Sequence, residues 1–169
     1  MIPNIFIFAV IKEPDMIQRI QTLYLLIADL LIASLFILPF AEMSGKGGKL
    51  FLFFLSGITS EEPGQGEVIQ KSWPLLVLTC LILVLLSLTI VQYKNRTRQI
   101  KLSWLTVVLL LGLVSSIYFS VWKCNGLLGG EYSMKISFTF PIIAAIFVYL
   151  AILSIAKDEK LVKSIDRIR

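Results

Sequence analysis

Chemistry in this chain must begin from an aspartate in an apolar setting. The run LYLLIADLLIASLFILPF, residues 23–40, is apolar except for Asp29 and Ser34. A carboxylic acid there can lock helices together by hydrogen bonding, meet a donor on another subunit, or pass a proton or ion. At the centre of a membrane helix it costs about 2.5–3.5 kcal/mol on insertion scales. Aspartate is too short to snorkel to the surface, so Asp29 is expected to face protein, not lipid. At about 100° per residue, Gln18, Thr22, Asp29 and Ala33 share a narrow arc. This is a polar track entering from the cytoplasmic end, with a small residue above it that permits close helix approach. Asp29 lies roughly 9 Å into the run at 1.5 Å per residue. No lysine or arginine lies inside an apolar run. Lys101 has a stem long enough to reach inward, and Thr106, Ser87 and Tyr93 can donate hydrogen bonds. Without a cation, burial favours the neutral acid.

The other reactive side chains form no catalytic set. The chain has no histidine, which removes Ser–His and Cys–His dyads and histidine metal or haem ligation. Cys80 and Cys124 form no CxxC and stand at different depths, so no disulfide is expected. Glu61 and Glu62 lie in the Gly/Pro turn SEEPGQGE with no catalytic partner in view. GLLGG at residues 126–130 is followed by no Lys-Ser/Thr and is not a phosphate cradle. Trp73, Trp104 and Trp122 lie near span ends, as interfacial anchors do. The sequence therefore points to no catalytic residue, no metal or other cofactor and no small-molecule substrate.

The elements that must position Asp29 are plain in the composition. Of the 169 residues, 57% are hydrophobic, against about 45–50% in soluble domains. The apolar residues fall in four blocks: Leu23–Phe40, Trp73–Val91, Leu102–Trp122 and Phe138–Ala156. Each approaches the roughly 20 residues a helix needs to cross hydrocarbon, and lipid forces such runs to be helical. The expected fold is an all-α membrane protein of four transmembrane helices in an antiparallel bundle. Its spans are about 17–40, 73–93, 102–122 and 138–156, within a transmembrane domain of residues 16–156.

The net charge of +5 is topogenic in this reading and does not call for nucleic acid. KNRTRQIK, with Lys94, Arg96, Arg98 and Lys101 and no acid, joins the second and third runs. Lys157, Lys160, Lys163, Arg167 and Arg169 follow the fourth. The other two loops mix lysines with Glu42, Glu61, Glu62, Glu67 and Glu131. The basic excess puts both termini and the central loop in the cytoplasm.

The two outer loops carry strand signals. In the first, about residues 41–72, Leu50–Leu55 is an apolar run too short to span. In the second, Tyr132, Met134, Ile136, Phe138 and Phe140 alternate with polar residues, the period of a half-buried strand. Pro141 then suits the first turn of a helix. A lone strand wants a partner, and Lys49–Leu55 is the first choice, with Glu67–Ser72 second. The two loops are thus expected to form a small antiparallel β-sheet. This plan resembles the claudins in architecture alone, because the claudin loop signature, a tryptophan with a disulfide-forming cysteine pair, is absent from residues 41–72.

Residues 157–169 continue the fourth helix as a cytoplasmic amphipathic tail. Leu161, Val162, Ile165 and Ile168 give an apolar stripe, and Glu159 and Lys163 a favourable i,i+4 pair. Leu161, Ile165 and Ile168 are the candidate docking residues, for a partner or for headgroups. Residues 1–15 have no basic n-region or cleavage site. They read as an interfacial segment or as an extension upstream of a start at Met16.

The segments MIQRIQTLYLLIA, from Met16, and KDEKLVKSIDRIR, at the C-terminus, resemble a family of small four-helix bacterial membrane proteins found in Bacteroidetes, a domain-of-unknown-function family. Its members begin at the position of Met16, which favours the second reading of residues 1–15. The resemblance implies an inner-membrane location and no activity. The expected function is that of a non-enzymatic accessory, scaffold or assembly subunit, with the bilayer and another membrane subunit as partners. The alternative is a small transporter or channel subunit using Asp29. A continuous polar path is missing from the second and fourth runs, which weakens transport.

Overall fold

The computed structural model describes residues 13–45, 50–60, 68–93, 95–128 and 131–166, and their side chains except at 13–19, 68–70, 127–128 and 158–166. Helix α1 is Glu13–Ser34. Strands β1 (Ala41–Ser44), β2 (Leu50–Phe54), β3 (Gly57–Ser60) and β4 (Val68–Lys71) follow. Then come α2 (Trp73–Val91), α3 (Arg96–Leu128), β5 (Glu131–Met134), a 3-10 turn (Ile136–Thr139) and α4 (Phe140–Asp166).

Three helices are long and apolar enough to cross a membrane: Trp73–Val91, Arg96–Gly126 and Ile136–Lys157. The described apolar part of α1, Ile20–Ser34, is shorter. Pro74 sits in the first turn of α2, where its missing N–H costs nothing. Ser and Thr hydroxyls within these helices donate to carbonyls a turn back: Thr79 to Leu75 at 2.8 Å, Thr89 to Leu85 at 2.7 Å and Thr106 to Leu102 at 2.9 Å. Each hydroxyl is thereby satisfied without water. Leu30, Val77, Val84, Val108, Leu111 and Ile146 face outward. Water-soluble folds rarely leave so continuous an apolar belt uncovered.

The helices pack mainly as neighbours in a ring, α1 on α2 and α4, and α3 on α2 and α4. The core between them is built from Leu25, Ala28, Ile32, Ile82, Leu86, Leu110, Leu113, Val148 and Ala151. Tyr24 of α1 meets Phe147 of α4 with ring centroids 6.1 Å apart. Trp104 of α3 stands edge-on to Tyr149 of α4 at 6.2 Å.

One five-stranded antiparallel sheet, in the order β4-β3-β2-β1-β5, covers one end. Its register pairs Ala41 with both Phe53 and Met134, and Met43 with both Phe51 and Tyr132. Ala41, Met43, Phe51, Phe53 and Ile58 are buried, while Ser44 and Leu50 are exposed. The period of two thus turns one face inward. The β2–β3 turn places Leu55 and Ser56 between paired Phe54 and Gly57. Among the described residues no non-glycine has positive φ, while Gly57 takes φ 149°, a conformation other residues resist.

Several sequence expectations are corrected. The first span, read to residue 40, stops being α-helical at Ser34. Leu35, Phe36, Ile37 and Leu38 make tight turn bonds to Ile32, Ala33 and Ser34 carbonyls. Pro39 disfavours helical geometry in the residue before it. Phe40 then enters the sheet, its N–H bonding the Phe53 carbonyl at 2.9 Å. The second span ends at Val91, and α3 exceeds the third run at both ends. The alternation over residues 132–140 forms strand only as far as Met134. Ile136 is 77% exposed and Ser137 is 4% exposed, the inverse of the strand pattern, because the chain coils into a 3-10 turn leading to Pro141. The partner of β5 is β1, which the sequence reading left in the loop, and not the Leu50–Leu55 run. The helix α1 starts at Glu13, ahead of the expected span start near residue 17, with Pro14 in its first turn. Helix α4 runs on without a break to Asp166. The side chains of Leu161 and Ile165 fall outside the described set, as do Ile168, the rest of 167–169 and residues 1–12.

Candidate functional site

Asp29 stands nearer the sheet than the sequence implied. It lies about 24 Å along α1 from Glu13 and about 7.5 Å from its end at Ser34, at 1.5 Å per residue. Lys101, exposed and about 7.5 Å into α3, is near the opposite end. The two do not form a site. Thr22 is half-buried two turns below Asp29, and the side chain of Gln18 lies outside the described residues.

The inward face of α1 also differs from the arc expected. Gln21, Leu25, Ala28, Ile32 and Leu35 are buried, while Ala33 is exposed. Packing thus rotates the interior away from the 18-22-29-33 stripe and leaves Asp29 on its flank. Tyr24 faces α4, and Asp29 is about 140° round the helix from Tyr24. Of the two helices that α1 packs on, Asp29 therefore lies on the α2 side. Buried Thr79 stands at similar depth, about 9 Å from the start of α2. Its hydroxyl proton is committed to the Leu75 carbonyl. Asp29 Oδ1 is shut off from solvent and has no hydrogen-bond partner among the described residues.

The core is banded. Gln21, Thr89, Gln99, Ser103 and Thr106 are buried at the end away from the sheet. Leu25, Ile82, Leu86, Leu110, Leu113 and Val148, all fully buried, form the next band. That band separates the far-end polar groups from Thr79 and Asp29. In the far group Gln92 Oε1, Arg96 Nη1 and Ser103 Oγ are buried without hydrogen-bond partners among the described residues. Sequence reading had given Arg96 only a topogenic role.

A second feature escaped the sequence reading: a crevice of about 550 Å³ between the sheet and the adjoining ends of α2 and α3. Its walls include Phe40, Phe53, Leu75 and Phe119, and its polar groups include Lys71, Lys123 and the serines at 72, 115, 116 and 120. Ser116, Ser120 and Lys123 follow at helical spacing, a signal that was present. The facing wall comes from strand pairing that composition does not announce. Cys80 is exposed, Cys124 is buried beside the crevice, and both are free thiols. Trp73, Trp104 and Trp122 are exposed. Among the described residues no group of three Asp, Glu, Cys or His side chains could hold a metal ion. Glu61 and Glu62 lie outside the described residues.

Fold and site together define a helical protein with spans apolar enough for a membrane, a five-stranded cap at one end and a solitary acid beside its core. The chain belongs to the DUF4293 family, a domain of unknown function, whose family model matches residues 17–168. The match takes in nearly all of the two end segments on which the resemblance rested. No curated protein matches the chain.

Proposed function

We propose that this is an integral protein of the bacterial cytoplasmic membrane that crosses the bilayer four times, with both termini inside. It serves a membrane complex as a non-enzymatic accessory, scaffold or assembly subunit. The apolar stretch of α1 from Ile20, continued past Ser34 by hydrogen-bonded turns to Leu38, supports a fourth crossing. Arg96, Arg98 and Lys101 at the end away from the sheet support the orientation.

The observation that carries the subunit reading is that Asp29 is only part-buried on the α1–α2 flank and has an oxygen that nothing described satisfies, so the open side of its carboxyl faces a neighbour seated there. Such a group inside a bilayer calls for a donor, and a helix of a second subunit seated on that flank supplies one. The fully buried apolar band favours this over transport, because a conducting path needs polar groups or water through that layer.

The test is purification in nanodiscs at native expression, wild type beside Asp29→Asn and Asp29→Leu, with mass spectrometry of the accompanying proteins. A stoichiometric membrane partner lost from Asp29→Leu is the expected result. No partner in any sample, together with proton flux in liposomes abolished by Asp29→Asn, would replace the subunit reading with the transporter.

A further inference from the structure

The crevice at the sheet end has a chemistry that the subunit reading does not use. Its volume of about 550 Å³ falls within the roughly 300–1,000 Å³ of small-molecule sites. Lys71 closes β4 and Lys123 lies in the last turns of α3, and strand and helix thus each contribute a lysine to the lining of the crevice. Neither lysine has an ion-pair partner among the described residues, whereas Glu42 is engaged by Lys135. The deeper wall is apolar: Phe40, Phe53 and Leu75 are almost fully buried. Phe119 is 59% exposed and carries the apolar wall outward along α3.

The serines add a polarity of their own. Ser115, Ser116 and Ser120 donate their hydroxyl protons to the carbonyls of Leu111, Gly112 and Ser116 at 2.9, 2.8 and 2.8 Å. Their lone pairs remain, so this wall accepts hydrogen bonds. The lysines therefore call for an anion and the serine wall for hydroxyl donors, beside an apolar surface for a chain. Exposed Trp73 and Trp122 flank the crevice, as side chains at the depth of lipid headgroups do.

We infer that this crevice binds an anionic phospholipid with a hydroxylated headgroup, of the phosphatidylglycerol kind. Its phosphate lies between Lys71 and Lys123, its headgroup hydroxyls donate to the α3 serines, and one acyl chain lies along Phe119. A soluble phosphate would use the lysines alone and leave the apolar wall uncovered. The inference shares with the proposed function only the membrane location, and holds whether or not Asp29 meets a partner.

The test uses the full chain in mild detergent, with native mass spectrometry after addition of dioctanoyl phosphatidylglycerol, dioctanoylglycerol or glycerol 3-phosphate. The expected result is a retained phosphatidylglycerol adduct, weakened roughly tenfold or more in Lys71→Gln/Lys123→Gln. It should be unchanged in Arg98→Gln and restored in Lys71→Arg/Lys123→Arg. A photoactivatable acyl chain on the same headgroup, used with the wild type, should cross-link to peptide 115–124 of α3, so the result survives a variant that fails to fold. Equal retention of dioctanoylglycerol would reduce the site to apolar filling. Equal binding of glycerol 3-phosphate would make the ligand a soluble phosphate. No adduct, or cross-links only elsewhere, would likewise overturn the inference.

Discussion

Lys135 Nζ lies 2.8 Å from Glu42 Oε2 and ties the strand that follows α1 to the segment that precedes α4. The backbone repeats the link, because the Lys135 N–H bonds the Phe40 carbonyl at 3.0 Å. Two loops far apart in sequence are thus joined at one point. Both side chains are over one-third exposed, so the ion pair itself is worth about 0.2–1 kcal/mol. A double-mutant cycle of Glu42→Gln and Lys135→Met, read by thermal unfolding in detergent, should return a coupling of that size and shrink in high salt. The ladder of backbone bonds should hold the loops together in either single variant.

Asp29→Leu should raise the stability of the isolated protein by about 1–3 kcal/mol, since it removes an unsatisfied buried oxygen. Denaturant unfolding in a fixed detergent measures it. A fall in stability would mean that Asp29 holds α1 to α2 internally, and the subunit reading would lose its main support.

Gly57→Val should destabilise the cap by about 1 kcal/mol or more, because φ 149° suits glycine alone in the β2–β3 turn. Hydrogen exchange should show lost protection in β2 and β3 while α2 and α3 stay protected. Uniform protection would show that the turn adapts without strain.

Ser44 is exposed on the sheet and Arg98 at the opposite end. In a Cys80→Ala/Cys124→Ala background, Ser44→Cys should react with an impermeant thiol reagent in intact spheroplasts. Arg98→Cys should react only after permeabilisation. The reverse pattern would invert the proposed topology.

Leu110→Ala should cost about 2–5 kcal/mol, as deletion of a fully buried leucine does. Val108→Ala, on the exposed belt of the same helix, should cost far less. Parity between them would contradict the banded core.

The helices were legible because lipid-scale apolar runs admit little else. The runs at 73–91, 102–122 and 138–156 each became a helix, and LFLFF became β2. What escaped was decided by contacts between distant residues. β1, AEMS, alternates apolar and polar residues over only four positions, too short a signal to stand out, and is held in place by Phe53 and Met134 on either side of Ala41. The alternation beyond Met134 gave way to the helix entrance at Pro141. Asp29 was visible as the unusual residue, but its depth was measured from the start of the apolar run, whereas the helix starts ten residues earlier. Lys71 and Lys123 read as loop charges until the fold set them at one crevice.

The place of β1 inside the sheet has a consequence for biogenesis. As the chain leaves the ribosome, the meander from β1 to β4 can pair as soon as it emerges. The open side of β1 stays bare until α2, α3 and then β5 have followed, because Ala41 waits for Met134. That bare strand is a template for wrong pairing throughout insertion. Closure by β5 therefore follows only once the third helix has been made, and a chain stalled before residue 131 leaves β1, an inner strand of the finished sheet, at its edge.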